Sequence, residues 1–437
     1  MRMTSNSCAY EKGGDAPETL VLAFSGGLDT SFCARWLAET RGARVVTVCV
    51  DTGGFGAEGL AWVADRAASL GVAEHHTVDA RGAVWERFLA YVVKGQALRG
   101  GVYPVSVAAE RTAQTEAVVS VARKVGAVGV AHGSTSAGND QVRFDVALAA
   151  LAPELEIIAP VRELGWSREE SAAWLAERGV DVDTGTVSYS VNAGLVGTTI
   201  GGVETHDGWS LPPEEVYSLT VAPEAAPDVA DELVITFEQG VAVAVDGERT
   251  DGPTLIDALN IRAGKHGVGR GIHVGDTILG VKGRIAFEAP GPVTLITAHR
   301  ELAKLVLGKR QQHWLNQLGG FWGESLHEGL YHDPAMRDAE VFLDSVNRHV
   351  TGEVRVRLYR GTVTVLGARS SASLLAAQGA VYGEAAGAWS GADAAGFARI
   401  HGTAVRVAAE RDRQLADDPK TIATSTSQNP LTDCVPS

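Results

Sequence analysis

Apolar positions in the first 180 residues follow two different periods. The runs TLVLAFS (19–25), ARVVTVCV (43–50), AVGVAH (127–132) and LEIIAP (155–160) are rich in Val, Ile and Leu without regular polar alternation, which is how strands covered on both faces read. Between them lie helical stripes: Phe32, Cys33, Trp36 and Leu37; then Leu60, Val63, Ala64 and Ala67 ahead of a stop at Gly71; then Trp85, Phe88, Leu89, Val92 and Val93. Ser167 followed by Glu170 predicts a capping box that opens SREESAAWLAERG, ending at Gly179. Strand–helix alternation with short connections predicts an α/β domain, a doubly wound, Rossmann-like parallel sheet with helices on both faces.

Beyond about residue 185 the texture changes. EVYSLTV, ELVITFEQGVAVAVDG and EVRVRLYRGTVTVLG read as antiparallel hairpins, the last turning at Arg360-Gly361. Helical stretches, TLIDALNIRAGKHG and HRELAKLVLGKRQQHWLNQLG, interrupt them, predicting a mixed α+β second domain. The tail DDPKTIATSTSQNPLTDCVPS is rich in Ser, Thr and Pro and lacks periodicity, as expected of a disordered tail or an arm lying on a partner subunit. The organisation expected is a flexible N-terminus over 1–18, a nucleotide-binding domain over 19–183, a second domain over 184–400 and a C-terminal arm over 401–437.

A length of 437 residues fits two or three domains. The net charge of −15, with no Lys/Arg run to offset it, disfavours a nucleic-acid or membrane-surface partner. The first twenty residues have no apolar core of the kind a signal peptide needs, so a cytoplasmic protein is expected. Cys8, Cys33, Cys49 and Cys434 are scattered, with no CxxC pair. That excludes a disulfide framework, a zinc site and a paired-thiol redox centre as leading readings, and no metal ligands are expected.

Chemistry concentrates where the first strand ends. AFSGGLDTS (Ala23 to Ser31) passes straight into a helix. Gly26 and Gly27 let the backbone turn tightly towards an anion. Ser25, Thr30 and Ser31 add hydroxyls, and the helix N-terminus adds free N–H groups and a positive dipole end. The string lies at the carboxyl end of a strand in an open parallel sheet, where ligands bind, and it is neither GxGxxG nor the Lys-containing phosphate loop. A lone Gly-Gly pair would be a plain strand–helix turn; Ser25–Ser31 in this context points to a nucleotide.

SGGLDTS resembles the pyrophosphate loop of ATP pyrophosphatases, and in this form that of argininosuccinate synthases. GVYPVSVAAER (101–111), HGSTSAGNDQVRF (132–144), AGKHGVGR, VKGRIAFEAPG and TGEVRVRLYRG resemble further segments of that family. The resemblance implies an adenine-nucleotide α-hydrolase-like first domain, a homotetramer, and small-molecule substrates: ATP with Mg²⁺, L-aspartate and a ureido acceptor such as citrulline. It assigns ATP to Ala23, Phe24, Ser25, Gly26, Gly27, Leu28, Asp29, Thr30, Ser31, Val50 and Gly133. Aspartate falls to Thr135, Asn139 and Asp140, and the acceptor to Tyr103, Asn139, Arg143, Ser190 and Thr199. The plain alternative for Asn139 to Arg143 is helix capping, with Arg143 solvated.

Departures from the family gather around the acceptor. Ala137 stands where a Lys is expected, Gly201 where a Glu is, Asn192 where an Asp is, Gly275 for a Glu and Phe287 for a Tyr; Val107 and Ala108 replace hydroxyl residues. Asp276 or Glu204 are candidates to fill the vacated positions. Buried polar groups without partners cost about 1–3 kcal/mol each, so citrulline is expected to be a poor acceptor and a related ureido or amide compound a better one. Two other classes compete. A sulfur transferase or tRNA-modifying enzyme on the same loop is disfavoured by charge and by the missing cysteine pair. A silent nucleotide-binding paralogue is motivated by the lost Lys and Glu residues.

Overall fold

The computed structural model describes residues 17–181, 189–379, 381–384 and 386–416. The segment 1–16 and the tail from 417, with Cys8 and Cys434, lie outside the described residues. Residues to Ser373 form one compact unit and those from Leu374 a second.

Five parallel strands open the fold: β1 (Thr19–Ala23), β2 (Arg44–Asp51), β3 (Glu74–Asp79), β4 (Gly129–Ala131) and β5 (Glu156–Ile158), in the order β3-β2-β1-β4-β5. Order reverses beside β1, so the loop after β1 sits at the switch point where open sheets bind ligands. Leu20 and Leu22 face one layer with Phe32, Leu37, Val63 and Leu175. Val21, Val46 and Val48 face the other with Phe88, Val92 and Ala109. Helices α1 (Leu28–Thr40) and α2 (Gly56–Ser69) follow β1 and β2. Ser167 caps the helix Arg168–Ala176 with the reciprocal Glu170 bond predicted for it.

Two antiparallel sheets follow. One has the order β10-β9-β8-β13-β14, built from β8 (Asp231–Glu238), β9 (Val241–Val245), β10 (Glu248–Arg249), β13 (Gly352–Tyr359) and β14 (Thr362–Arg369). The other has the order β11-β12-β7-β6, from β6 (Tyr189–Gly194), β7 (Gly197–Gly202), β11 (Arg270–Asp276) and β12 (Lys282–Glu288). The β6–β7 turn docks on the carboxyl end of β2, where Leu195 N–H donates to the Thr52 carbonyl at 2.7 Å. Gly54 permits this approach, since a Cβ there would stand 2.1 Å from the Ala193 carbonyl oxygen. The second unit contains the helices Gly391–His401 and Thr403–Ala416.

Two sequence expectations are corrected. EVYSLTV is not a hairpin strand: it holds only a short turn at Glu214–Val216. The N–H groups of Ser218, Leu219 and Thr220 donate instead to the buried Glu288 carboxylate at 2.7–2.9 Å, which satisfies them without a ladder. HRELAKLVLGKRQQHWLNQLG is two helices, Pro290–Val306 and Lys309–His327, broken at Leu307-Gly308.

Glu110, on the helix Ser106–Lys124, is buried beneath β6 so closely that a Cβ on Gly194 would lie 2.0 Å from its Oε1. Burial, opposed by Arg111 and reinforced by Asp140, pushes the Glu110 pKa from 4.5 up to about 8. Between those two values the folded chain holds a proton that the unfolded chain has lost, so stability falls as pH rises through that window. Glu110→Gln removes the linkage. Melting temperatures at pH 5 and pH 8 should fall more for the natural protein than for the variant; equal falls would contradict this assignment.

Candidate active site

The loop after β1 is braced from behind and open in front. Gly26 has φ 79°, and a Cβ there would meet the Trp62 ring at 2.6 Å. Ser31 Oγ donates to the Gly26 carbonyl at 3.1 Å and accepts from Arg66 Nε at 3.2 Å. Gly26 and Ser31 therefore shape the loop from outside the cavity, whereas Ala23, Phe24, Ser25, Gly27, Leu28, Asp29 and Thr30 line it. The Ser31 hydroxyl, expected to be a ligand donor, is committed to the loop's own backbone. Ser25 and Thr30 hydroxyls lie 3.3 Å apart at the mouth. Gly27 caps α1 with no side-chain bond, so no cap side chain takes up the first-turn N–H groups. Burial raises the Asp29 pKa, partly offset by Arg168 at 3.9 Å. Val50 and Gly133 complete this end, and a Cβ on Gly133 would lie 3.2 Å from Asp29.

The adjoining wall is an ionic bridge. Asp140, first residue of the helix Asp140–Leu151, gives one oxygen to Arg111 Nε at 2.9 Å and the other to Arg143 Nη1 at 3.0 Å. Burial would raise the Asp140 pKa, but the two arginines outweigh it and hold the carboxyl below its ordinary range. Arg111 also donates to Asn192 Oδ1 on β6. Arg143 is buried and donates to the His327 carbonyl at 3.0 Å and to His327 Nδ1 at 3.2 Å. These bonds leave two of the five guanidinium N–H groups of Arg143 for a ligand.

Helix capping fails as an account of this segment. Asn139 occupies the cap position without a side-chain cap bond. Its Oδ1 instead accepts from Ile278 N–H at 2.9 Å, in the β11–β12 turn, which leaves the amide NH₂ free to donate. Thr135, Asn139, Asp140, Tyr103, Arg143, Ser190 and Thr199 all line the same cavity as the loop, a space of about 830 Å³. The fold thus brings the positions expected to bind nucleotide, aspartate and acceptor onto one cavity, apart from Gly26 and Ser31.

The departures fall unevenly. Ala137 is exposed, and a side chain at Gly201 would point into open space; neither lines the cavity. Phe287 is buried against Tyr103 with ring centroids 5.4 Å apart. The two candidate replacement carboxylates part company: Glu204 accepts from the Tyr189 hydroxyl and lies off the cavity, whereas Asp276 lines it and pairs with the exposed Lys282 at 2.7 Å. Sequence reasoning missed Arg99, Arg111, His273 and His327, all of which line the cavity. Arg111 sat inside a recognised segment; His327 arrives from 184 positions beyond Arg143, and no local pattern marks it.

Comparisons with known proteins agree along most of the chain. Residues 19–181 match the family model of the arginosuccinate synthase N-terminal HUP domain, and residues 189–408 that of the arginosuccinate synthase C-terminal domain. A curated argininosuccinate synthase of Xanthomonas campestris pv. campestris is 41% identical over 399 residues, covering 90% of this chain and 99% of the relative. An argininosuccinate synthase of Methanocaldococcus jannaschii is 40% identical over 355 residues, covering 81% and 89%. With both halves matched in order, and with relatives this similar over nearly their whole length, the chain belongs to the argininosuccinate synthase family.

Proposed function

We propose that this protein is an ATP-dependent carbon–nitrogen ligase that joins L-aspartate to citrulline or a related ureido or amide acceptor. One observation carries the reading: Ser25 and Gly27–Thr30 of the phosphate-type loop and the Arg111–Asp140–Arg143 bridge line one cavity. The acceptor oxygen attacks the α-phosphorus of ATP; the bond to the leaving pyrophosphate breaks, giving an adenylated intermediate. The aspartate nitrogen then forms the new C–N bond, losing a proton as AMP departs with the C–O electron pair. Among the described residues the chemistry needs no protein nucleophile, and Cys33 and Cys49 are both buried with raised pKa values caused first by burial.

Residues then divide the work. First-turn N–H groups of α1 and the Ser25 and Thr30 hydroxyls hold the leaving phosphates. Mg²⁺ arrives with ATP, and Asp29 is the acidic side chain that the loop itself brings to the cavity. Thr135, the Asn139 amide and Asp140 hold aspartate; Arg143, Tyr103, Ser190 and Thr199 hold the acceptor, so that reactants are oriented rather than covalently captured. The sulfur-transferase reading loses its support in the family assignment. A homotetramer belongs to the same proposal, and it fits the exposed Phe397, Ile400, Val405 and Val407 of the C-terminal helices. A cytoplasmic location is also part of it; no helix among the described residues is long and apolar enough to cross a membrane.

Gly27→Val should cut pyrophosphate release by roughly 10²-fold or more with folding preserved. Position 27 has an extended backbone that accepts a side chain, and the valine would stand where phosphate must lie. Normal release by soluble variant protein would refute the loop assignment. Nitrogen-source assays should show product with L-aspartate and none with glutamine or ammonium, because Asn139 and Asp140 form a donor-amino-acid site. Product from glutamine alone would overturn this.

A further inference from the structure

At the cavity end beneath β11 and β12, two histidines and two arginines take over. Gly275 leaves a gap on β11. A Cβ built there would lie 2.6 Å from His273 Nε2 and 3.2 Å from Arg99 Nη1. Residues two apart on a strand share a face, so His273 stands in the space a side chain at 275 would need. Its ring stacks on Tyr103, centroids 5.6 Å apart and planes 22° apart. His327 approaches from the helix end, its Nδ1 accepting from Arg143, which puts its proton on Nε2.

Both rings are poised for a partner they lack. His273 and His327 are only 7% and 6% exposed and line the cavity. The Nε2 atoms of both are buried without a hydrogen-bond partner in the protein, and native interiors satisfy such atoms with water or a ligand. Burial, with Arg99 beside it, lowers the His273 pKa; burial with Arg143, Arg99 and His273 brings His327 to about 3. The imidazoles are therefore neutral near pH 7, and the charge comes from Arg99 and Arg143. Arg99 spends Nε and Nη2 on Glu324 and the Asp276 carbonyl, leaving Nη1.

Acidic side chains that could receive an ammonium group are committed elsewhere. Three carboxylates line the cavity. Asp29 belongs to the phosphate loop, Asp140 is bridged by Arg111 and Arg143 and assigned above to the aspartate substrate, and Asp276 pairs with Lys282 at the solvent-exposed rim. Among the described residues this end thus presents donors and neutral rings, with no uncommitted carboxylate. A free amino acid would bury its α-ammonium against arginines. A carboxylate without that ammonium would meet Arg99 Nη1, the spare N–H groups of Arg143 and the bare imidazole nitrogens. Resting on the ligase reading above, we infer that the natural acceptor is a ureido or amide carboxylate with no free α-ammonium, an N-acylated or deaminated amino acid, and that His273 over Gly275 sets this choice.

The test is pyrophosphate release with ATP and L-aspartate against three acceptors: citrulline, N-acetylcitrulline and 5-ureidopentanoate. At least one of the latter two should exceed citrulline in kcat/KM by about tenfold or more, since a buried unpaired charge discriminates strongly. Combining His273→Ala with Gly275→Glu restores a carboxylate and should move that ratio towards citrulline by at least about tenfold. The ratio is internal to each preparation, so partial misfolding does not change it. Preference for citrulline by the natural protein overturns the inference and leaves the ligase reading standing. Release with none of the three, in protein that binds ATP, overturns both.

Discussion

Everything in the cavity hangs on the Asp140 carboxylate, held between the guanidinium groups of Arg111 and Arg143. A buried ion pair is a weak source of net stability, but breaking one strands charge at a cost of about 3–5 kcal/mol. Here that cost would fall on two arginines with different errands. Arg111 ties the bridge to Asn192 on β6, and Arg143 ties it to His327 at the end of a distant helix. Asn139, one residue earlier, bonds to the β11–β12 turn. Parallel sheet, antiparallel sheet and helical layer are thus fastened at one point, and the cavity is the space they enclose.

The two ends of that space work by different physics. The loop end is mostly backbone: a glycine turn, a helix N-terminus and a few hydroxyls, a donor set that suits phosphates. The opposite end is side chains, and each one rejects as well as selects. A chain with a net charge of −15 nonetheless concentrates arginines around this cavity, so anionic substrates meet an attractive local field inside a repulsive surface. On the proposed reading, a change at Gly275, which lines the cavity, retunes the acceptor while leaving the loop untouched.

Legibility in the sequence followed locality. Strands β1, β2, β4 and β5, the Ser167 cap and the Arg360-Gly361 turn could be read because each is written in adjacent residues, and the structure carries them all. β3 was not read: EHHTVD has a single apolar side chain, and as the sheet's edge strand it needs little more. EVYSLTV misled because its N–H groups are satisfied by Glu288, nearly seventy positions away. The loop and the Asn139–Arg143 segment were legible as motifs, but not their wiring. That Asn139 reaches Ile278, that Arg143 is buried on His327, and that His273 fills the gap at Gly275 are facts of tertiary approach.

The most direct test of this architecture is Asp140→Asn, measured twice on one preparation. Calorimetric titration reports ATP binding, and a coupled assay reports pyrophosphate release with L-aspartate and acceptor. An amide keeps the shape but cannot neutralise two guanidinium groups. The account predicts ATP affinity within about threefold of the natural protein, because the loop is built separately, and pyrophosphate release reduced by roughly 10²-fold or more. Unchanged pyrophosphate release would contradict it, showing that the bridge is not what organises the site.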